Sequence, residues 1–173
     1  DVVTCIMLHF SGTSGVDMTP EAFSDLIAPI ARRAAGRHLD TALEDDLNRT
    51  VPPDSPAFRE VFAACRDAIA AGWMCNREAG GIRYGRVIKA GPAMHGFSVD
   101  VVEMDSLAGP HHRHPNGEAD LIIPLSPAAK FEGPGAGFLV YPAGSAHSPT
   151  VTGGKALVLY LLPEGAIEFT KTQ

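Results

Sequence analysis

The chain changes rhythm near Trp73: apolar positions recur at three- and four-residue steps before it and alternate after it. In the first part, Phe23, Leu26, Ile27, Ile30 and Ala34 fall on one helical face. The opening Thr19-Pro20-Glu21 supplies a hydroxyl N-cap, a proline at the first helical position and an acid in the first turn, and the helix is expected to end near Gly36. Leu39, Leu43 and Leu47 lie one turn apart and predict a second helix over 40–49, stopped by Val51-Pro52-Pro53-Asp54. Ser55-Pro56 opens a third, with Phe58, Val61, Phe62, Cys65 and Ile69 along one side and Gly72 at its C-terminal end. Beyond Trp73 the period is two. Strands are expected at 82–88, 96–104, 119–125, 129–132, 137–141, 156–162 and 166–169, divided by Gly and Pro turns. Short strands at that spacing suit a sandwich or barrel.

A length of 173 residues is enough for one domain with its own core. No Gly/Ser-rich linker divides it, so 19–173 reads as a single domain, with a helical segment (19–72) packed on a β unit (73–173) or on a second subunit. A helical arm beside a small barrel makes a homodimer the expected assembly. Residues 1–18 read as an extension, or as an extra strand, with Met18 as a natural beginning. Their one apolar run lacks a basic n-region and a cleavage site and is too short to span a bilayer, so neither signal peptide nor membrane anchor is expected.

Charge narrows the function classes. A net charge of −6 and a pI near 5.6 leave no basic stripe for nucleic acid. Cys5, Cys65 and Cys75 are odd in number and show no CxxC spacing, which fits packing residues in a reducing cytoplasm better than a disulfide framework or zinc knuckle. Gly133-Pro134-Gly135-Ala136-Gly137 lacks the Lys-Ser/Thr of a phosphate loop and reads as a turn.

The chemistry concentrates between Gly109 and His147, which holds four of the seven histidines. Side chains alternate along an extended segment, so His112 and His114 share a face while His111 and Arg113 point away. Glu118, an even number of residues on, can join them if the Pro115-Asn116-Gly117 turn keeps register. His147, after Pro142-Ala143-Gly144, is the fourth candidate. Imidazole with carboxylate is a donor set for mid-row divalent metals, and it accepts iron, manganese, zinc, nickel or cobalt alike.

These two segments resemble the paired signatures of the cupin superfamily, HxH-x3-E and a later PxGxxH. The second has one residue fewer between Gly137 and Pro142 than the pattern calls for, and it lacks the trailing Asn. The resemblance implies a mainly β fold, a cupin-type antiparallel double-stranded β-barrel behind an N-terminal helical segment, with His112, His114, Glu118 and His147 as metal ligands at its mouth. A closer resemblance is carried by Gly85-Arg86-Val87-Ile88-Lys89-Ala90-Gly91-Pro92, by His95-Gly96-Phe97, by the stretch Gly109 to Glu118 and by the ending Tyr160 to Phe169. From Thr19 onward the chain is similar to the 4-hydroxylaminobenzoate lyase family of nitroaromatic breakdown. That resemblance implies conversion of 4-hydroxylaminobenzoate into 3,4-dihydroxybenzoate (protocatechuate) with release of ammonia, the metal activating water or polarising the departing hydroxylamine oxygen.

A small aromatic carboxylate needs a cation at the far end of its pocket. Arg83, Arg86 and Arg113 are the candidates, with Lys89 behind them and Arg86 favoured. Tyr84 and Tyr141 are candidates for the barrel lining. Proton transfer calls for a group titrating near neutrality, which directs attention to His95 and His111, with Glu118 as ligand or general base. Two other readings stay open: another metal-dependent cupin enzyme such as an iron dioxygenase, and a non-catalytic cupin that binds a small carboxylate.

Overall fold

The protein is described from residue 17 to residue 170 by a computed structural model. The expectations placed on 1–16, Cys5 included, lie outside the described residues. Three helices come first: α1 (Pro20–Ala34), α2 (Thr41–Thr50) and α3 (Pro56–Ala70). Each starts where a short polar side chain turns back onto the backbone. Thr19 accepts from Ala22 N, Asp40 from Leu43 N and Ser55 from Phe58 N, which satisfies amides that have no partner within the helix.

The remainder is strand and turn: β1 (Arg77–Ala79), β2 (Ile82–Ile88), β3 (Phe97–Asp105), β4 (His112–His114), β5 (Glu118–Pro124), β6 (Lys130–Phe131), β7 (Gly137–Tyr141), β8 (Ser145–His147), β9 (Val151–Thr152), β10 (Lys155–Pro163) and β11 (Glu168–Phe169). They form a six-stranded sheet in the order β1-β2-β3-β10-β5-β7, a three-stranded sheet β11-β4-β8 and the pair β6-β9. Every ladder is antiparallel. The expected mainly β, cupin-type architecture behind a helical start is what the chain adopts. The expected strands are present within a few residues, while β1, β4, β8 and β9 were not expected as strands. At two or three residues each, they are too short to carry a readable alternation.

The long strands are covered on both sides. From β5 and β10, Leu121, Ile123, Leu157, Leu159 and Leu161 face the helices, joining Phe23, Ile27, Leu43, Leu47 and Cys65 in one apolar cluster. Their alternate residues Ile122, Val158, Tyr160 and Leu162 face the other way, with Phe131 and Val151, in a second cluster. That is why β10 reads as an unbroken apolar run. Helix α2 also shields the sheet edge. Asn48 exchanges hydrogen bonds with the backbone of Phe138, and Glu44 accepts from Val140 N, so β7 does not present a bare row of amides.

Cys65 and Cys75 are buried free thiols, each pushed up to about 12, mainly by burial, which keeps them as packing groups. Among the described residues no helix is long and apolar enough to cross a membrane.

One exposed ion network ties α1 to α2. Asp46 pairs with Arg33 at 2.7 Å, Arg37 at 2.6 Å and Arg49 at 3.1 Å, and these guanidiniums hold its carboxyl far below the usual aspartate range. A depressed folded-state pKa contributes stability that is complete above the unfolded value of about 3.9 and disappears as pH falls through the folded value. Asp46→Asn is therefore expected to lower the thermal midpoint near neutrality and at low salt, with the gap to wild type closing below about pH 4. Thermal unfolding across that pH range measures it, and a gap independent of pH would show that the network does not act through charge.

Candidate metal centre

The candidate ligands are brought together by one ladder and one turn. Strands β4 and β8 pair antiparallel, with His112 opposite His147 and His114 opposite Ser145. Within β4, His112 and His114 are buried and Arg113 is exposed, as alternation requires. The chain then turns through Pro115-Asn116-Gly117 and re-enters as β5, whose first residue is Glu118. Gly117 has φ +82°, and a Cβ there would sit 2.7 Å from Tyr141 O and 3.1 Å from Ala143 N. Only a residue without a side chain lets this turn lie against the connection that leads to His147.

The donor atoms of His112, His114, Glu118 and His147 all lie within 4.8 Å of one another. His114 Nε2 is 2.8 Å from one Glu118 oxygen and His147 Nε2 is 3.2 Å from the other. His112 Nε2 approaches His147 Nε2 to 3.1 Å. These are short distances, yet both ring nitrogens of His114 and both oxygens of Glu118 are buried without hydrogen-bond geometry to any partner. Buried polar atoms left in that condition are costly, and a divalent cation taking one donor atom from each of the four residues offsets part of the cost. The residues present therefore fit a metal ion.

Tautomers point the same way. Pro110 O can only accept, so its 3.1 Å contact puts the proton of His112 on Nδ1 and turns the Nε2 lone pair toward the cluster. Burial, then the neighbouring His114 and His147, push His112 down to about 4, so the ring is neutral at ordinary pH. Asp120, fully buried two residues after Glu118 on the same strand face, has its carboxyl pushed well above the usual range by burial and then by Glu118.

Beside the cluster lies a cavity of about 280 Å³, with His112 and His114 in its wall. Ile82, Leu162, Ile167, Pro110 and Pro149 make it largely apolar. Tyr160 lines it from below with its ring stacked on His114 at 6.4 Å, while burial raises its hydroxyl well above the usual phenol range. Tyr84 and Phe169 line it too, and both are largely exposed for aromatic residues, at 37% and 66%; Phe169 also meets His112 edge-on at 5.6 Å.

Several sequence expectations change here. None of Arg83, Arg86 and Arg113 lines the cavity. Arg83 faces Glu103, Arg86 takes both oxygens of Asp100 and the carbonyl of Gly165, and Arg113 faces Glu168. The reason is register: each arginine stands directly across from that acid on the neighbouring strand. Gly165 makes room for Arg86, since a Cβ there would fall 2.7 Å from its Nη1. His95 and His111 are also outside the cavity wall. His95 is an exposed residue with φ +51° in the turn before β3, and His111 points outward to Thr170. Lys89 is exposed just past β2. Tyr141 packs its ring 5.1 Å from His147 on the cluster's side rather than in the cavity wall. The sequence reading passed over Asp100, Asp120 and Tyr160, although the two-residue period from Glu118 to Asp120 would have found the second of them.

A mainly β, antiparallel fold that sets imidazole and carboxylate donors beside a small, largely apolar cavity defines a protein with room for one metal ion and one small molecule. Residues 25–169 match the family described as PnbB: 4-hydroxylaminobenzoate lyase. The chain belongs to that family. It is 33% identical over 163 residues to the 4-hydroxylaminobenzoate lyase of Nocardioides sp. (strain LMS-CY), covering 89% of this chain and 96% of the relative. With the 4-hydroxylaminobenzoate lyase of Pseudomonas putida it shares 31% over 162 residues, 84% and 90% of the two chains. Among solved structures, DMSP lyase DddQ from Ruegeria pomeroyi DSS-3 is similar with a TM-score of 0.47 and 20% identity, over 88% of this chain and 98% of that one.

Replacing Gly117 by Ala combines a left-handed backbone with a backbone clash beneath the cluster. It is expected to cost about 1–3 kcal/mol of stability and to weaken divalent-metal binding, since the turn spaces Glu118 against His147. Urea unfolding and metal titration test the two parts, and unchanged values in both would show that the turn tolerates the methyl group.

Proposed function

We propose that this enzyme converts 4-hydroxylaminobenzoate to 3,4-dihydroxybenzoate and ammonia in the cavity beside the four-donor cluster. The observation that carries the reading is the convergence of buried, unpartnered imidazole and carboxylate atoms beside an apolar cavity. That cavity falls just below the roughly 300–1,000 Å³ range of ligand pockets, a size suited to a single aromatic ring. The reaction takes up one water and loses ammonia. The N–O bond breaks, a ring carbon gains a hydroxyl and the C–N bond is hydrolysed, so atoms and electrons balance without an external oxidant or reductant.

His112, His114, Glu118 and His147 would hold one divalent ion, of the iron, manganese, zinc, nickel or cobalt kind. Such an ion supplies Lewis acidity toward a substrate oxygen. Glu118 has both oxygens turned to His114 and His147, which suits a ligand and not a free general base. Ile82, Leu162 and Ile167 would receive the ring, with Tyr84 and Phe169 as the solvent-exposed part of the lining. Tyr84 and Tyr160 bring hydroxyl groups to the same cavity.

Incubation of purified protein with 4-hydroxylaminobenzoate should yield ammonia and 3,4-dihydroxybenzoate in equal amounts. Chelation or His114→Ala should lower the rate at least about a hundredfold, and metal should restore the chelated enzyme but not the variant. If folded, metal-loaded protein makes neither product, the proposal fails. Oxygen consumption in step with turnover would assign a dioxygenase instead.

For the substrate carboxylate, Arg86 is the residue proposed. It follows Ile82 and Tyr84 on one face of β2, its ion-pair partner Asp100 lines the cavity, and its Nη1 makes no hydrogen bond among the described residues. Arg86→Met is best tested in an Asp100→Asn background, so that an unpaired acid does not itself repel the substrate. The expected result is a roughly ten- to hundredfold rise in KM with a much smaller change in kcat, the size of one charged hydrogen bond. An unchanged KM assigns carboxylate recognition elsewhere.

A further inference from the structure

His147 uses one ring nitrogen toward the cluster and leaves the other facing outward from it. Its Nε2 lies 3.1 Å from His112 Nε2 and 3.2 Å from Glu118 Oε1. On the far side, Nδ1 is buried and lacks a hydrogen-bond partner, with Glu132 Oε2 at 3.5 Å.

Glu132 is built into that spot. Its side chain is only 16% exposed. Oε1 accepts from Thr150 N at 2.6 Å, the Glu132 amide donates to Thr150 O at 3.0 Å, and the Tyr141 hydroxyl reaches Oε2 at 3.5 Å. The backbone at Glu132 is left-handed, with φ +54°, a conformation that residues other than glycine seldom adopt. Strain of that kind, with three tethers, aims a carboxylate at the back of His147. The ring has little freedom to turn away, since Tyr141 packs at 5.1 Å and Phe131 at 6.3 Å.

Given the reading of the cluster as a metal centre, we propose that Glu132 is a positioning residue that accepts the Nδ1 proton of His147 and fixes the tautomer whose Nε2 lone pair points at the ion. His112 receives the same service from the carbonyl of Pro110. A carboxylate acceptor does more than a carbonyl, because its charge makes the imidazole it holds a stronger donor.

The probe is cobalt(II), titrated into chelator-stripped protein, with affinity read by competition against a chelator and geometry read from the visible absorption of the bound ion. Glu132→Gln keeps an oxygen for Thr150 N but turns an amide donor toward His147. Expected is a ten- to hundredfold weaker affinity and an altered visible spectrum, with the unfolding midpoint of the metal-free protein unchanged. In a His147→Ala background the same substitution should change affinity less than about twofold, because the residue it acts through is gone. Wild-type affinity in the single variant overturns the inference, and so does an equal loss in both backgrounds, which marks damage to the fold. A wild-type protein that takes up no cobalt overturns the metal-centre reading itself and this inference with it.

Discussion

The arrangement depends on the antiparallel pairing of β4 with β8, which sets His112 directly opposite His147. Opposite residues in such a ladder have side chains about 5 Å apart, so one register brings two imidazoles within reach of one point. A slip of one residue would instead turn Arg113 inward and both β4 histidines out. Glu118 completes the group because the turn at Gly117 is tight enough to bring β5 back beneath β4. The pairing and the turn together concentrate lone pairs in a buried place. His114 and Glu118 are fully buried with no hydrogen-bond partner, an arrangement that folding on its own would disfavour.

The helical layer holds the sheet that carries Glu118. Glu118 begins β5, and β5 lies between β10 and β7. Asn48 and Glu44 of α2 satisfy backbone groups of β7 that would otherwise be bare, while Leu121 and Ile123 pack into the cluster formed with α1, α2 and α3. β5, which supplies Glu118, and its neighbour β7 are thus fixed on the side away from the donors. The helices do not touch the chemistry; they limit how far the sheet beneath it can shift.

How much of this was legible in the sequence depends on the range of the interactions involved. Helix starts were legible because Thr19, Asp40 and Ser55 act within three residues of themselves. The four clustered donors were legible because period-two alternation and a turn decide where they point. The partners of the arginines were not. Arg83, Arg86 and Arg113 are each neutralised by an acid across a ladder, and Glu103, Asp100 and Glu168 are distant in sequence from the arginines they meet. His95 and His111 stand apart from the cavity for a related reason: residue type makes a histidine a proton-transfer candidate, but backbone direction decides what it can reach. His95 occupies a left-handed turn, and His111 lies outside β4 on the wrong phase of the alternation. β8 was missed as a strand because three residues cannot display a period, although its ladder carries the fourth donor.

The cavity and the cluster place opposite demands on the same few strands. The cluster needs charge and unshared electron pairs, and the cavity needs an apolar wall. Register resolves the conflict by spreading the groups across neighbouring strands. On β10, Tyr160 lies opposite Asp120 of β5 and stacks on His114, while Leu162, two residues on, lines the cavity. On β2, Ile82 and Tyr84 line the cavity, and Arg86, next on that face, is answered by Asp100 before its charge can reach the apolar wall. Asp120, Tyr160, Asp100 and Arg86 stand in one row across β5, β10, β3 and β2, so the inner face passes sideways from a carboxylate, through an aromatic ring, to an ion pair.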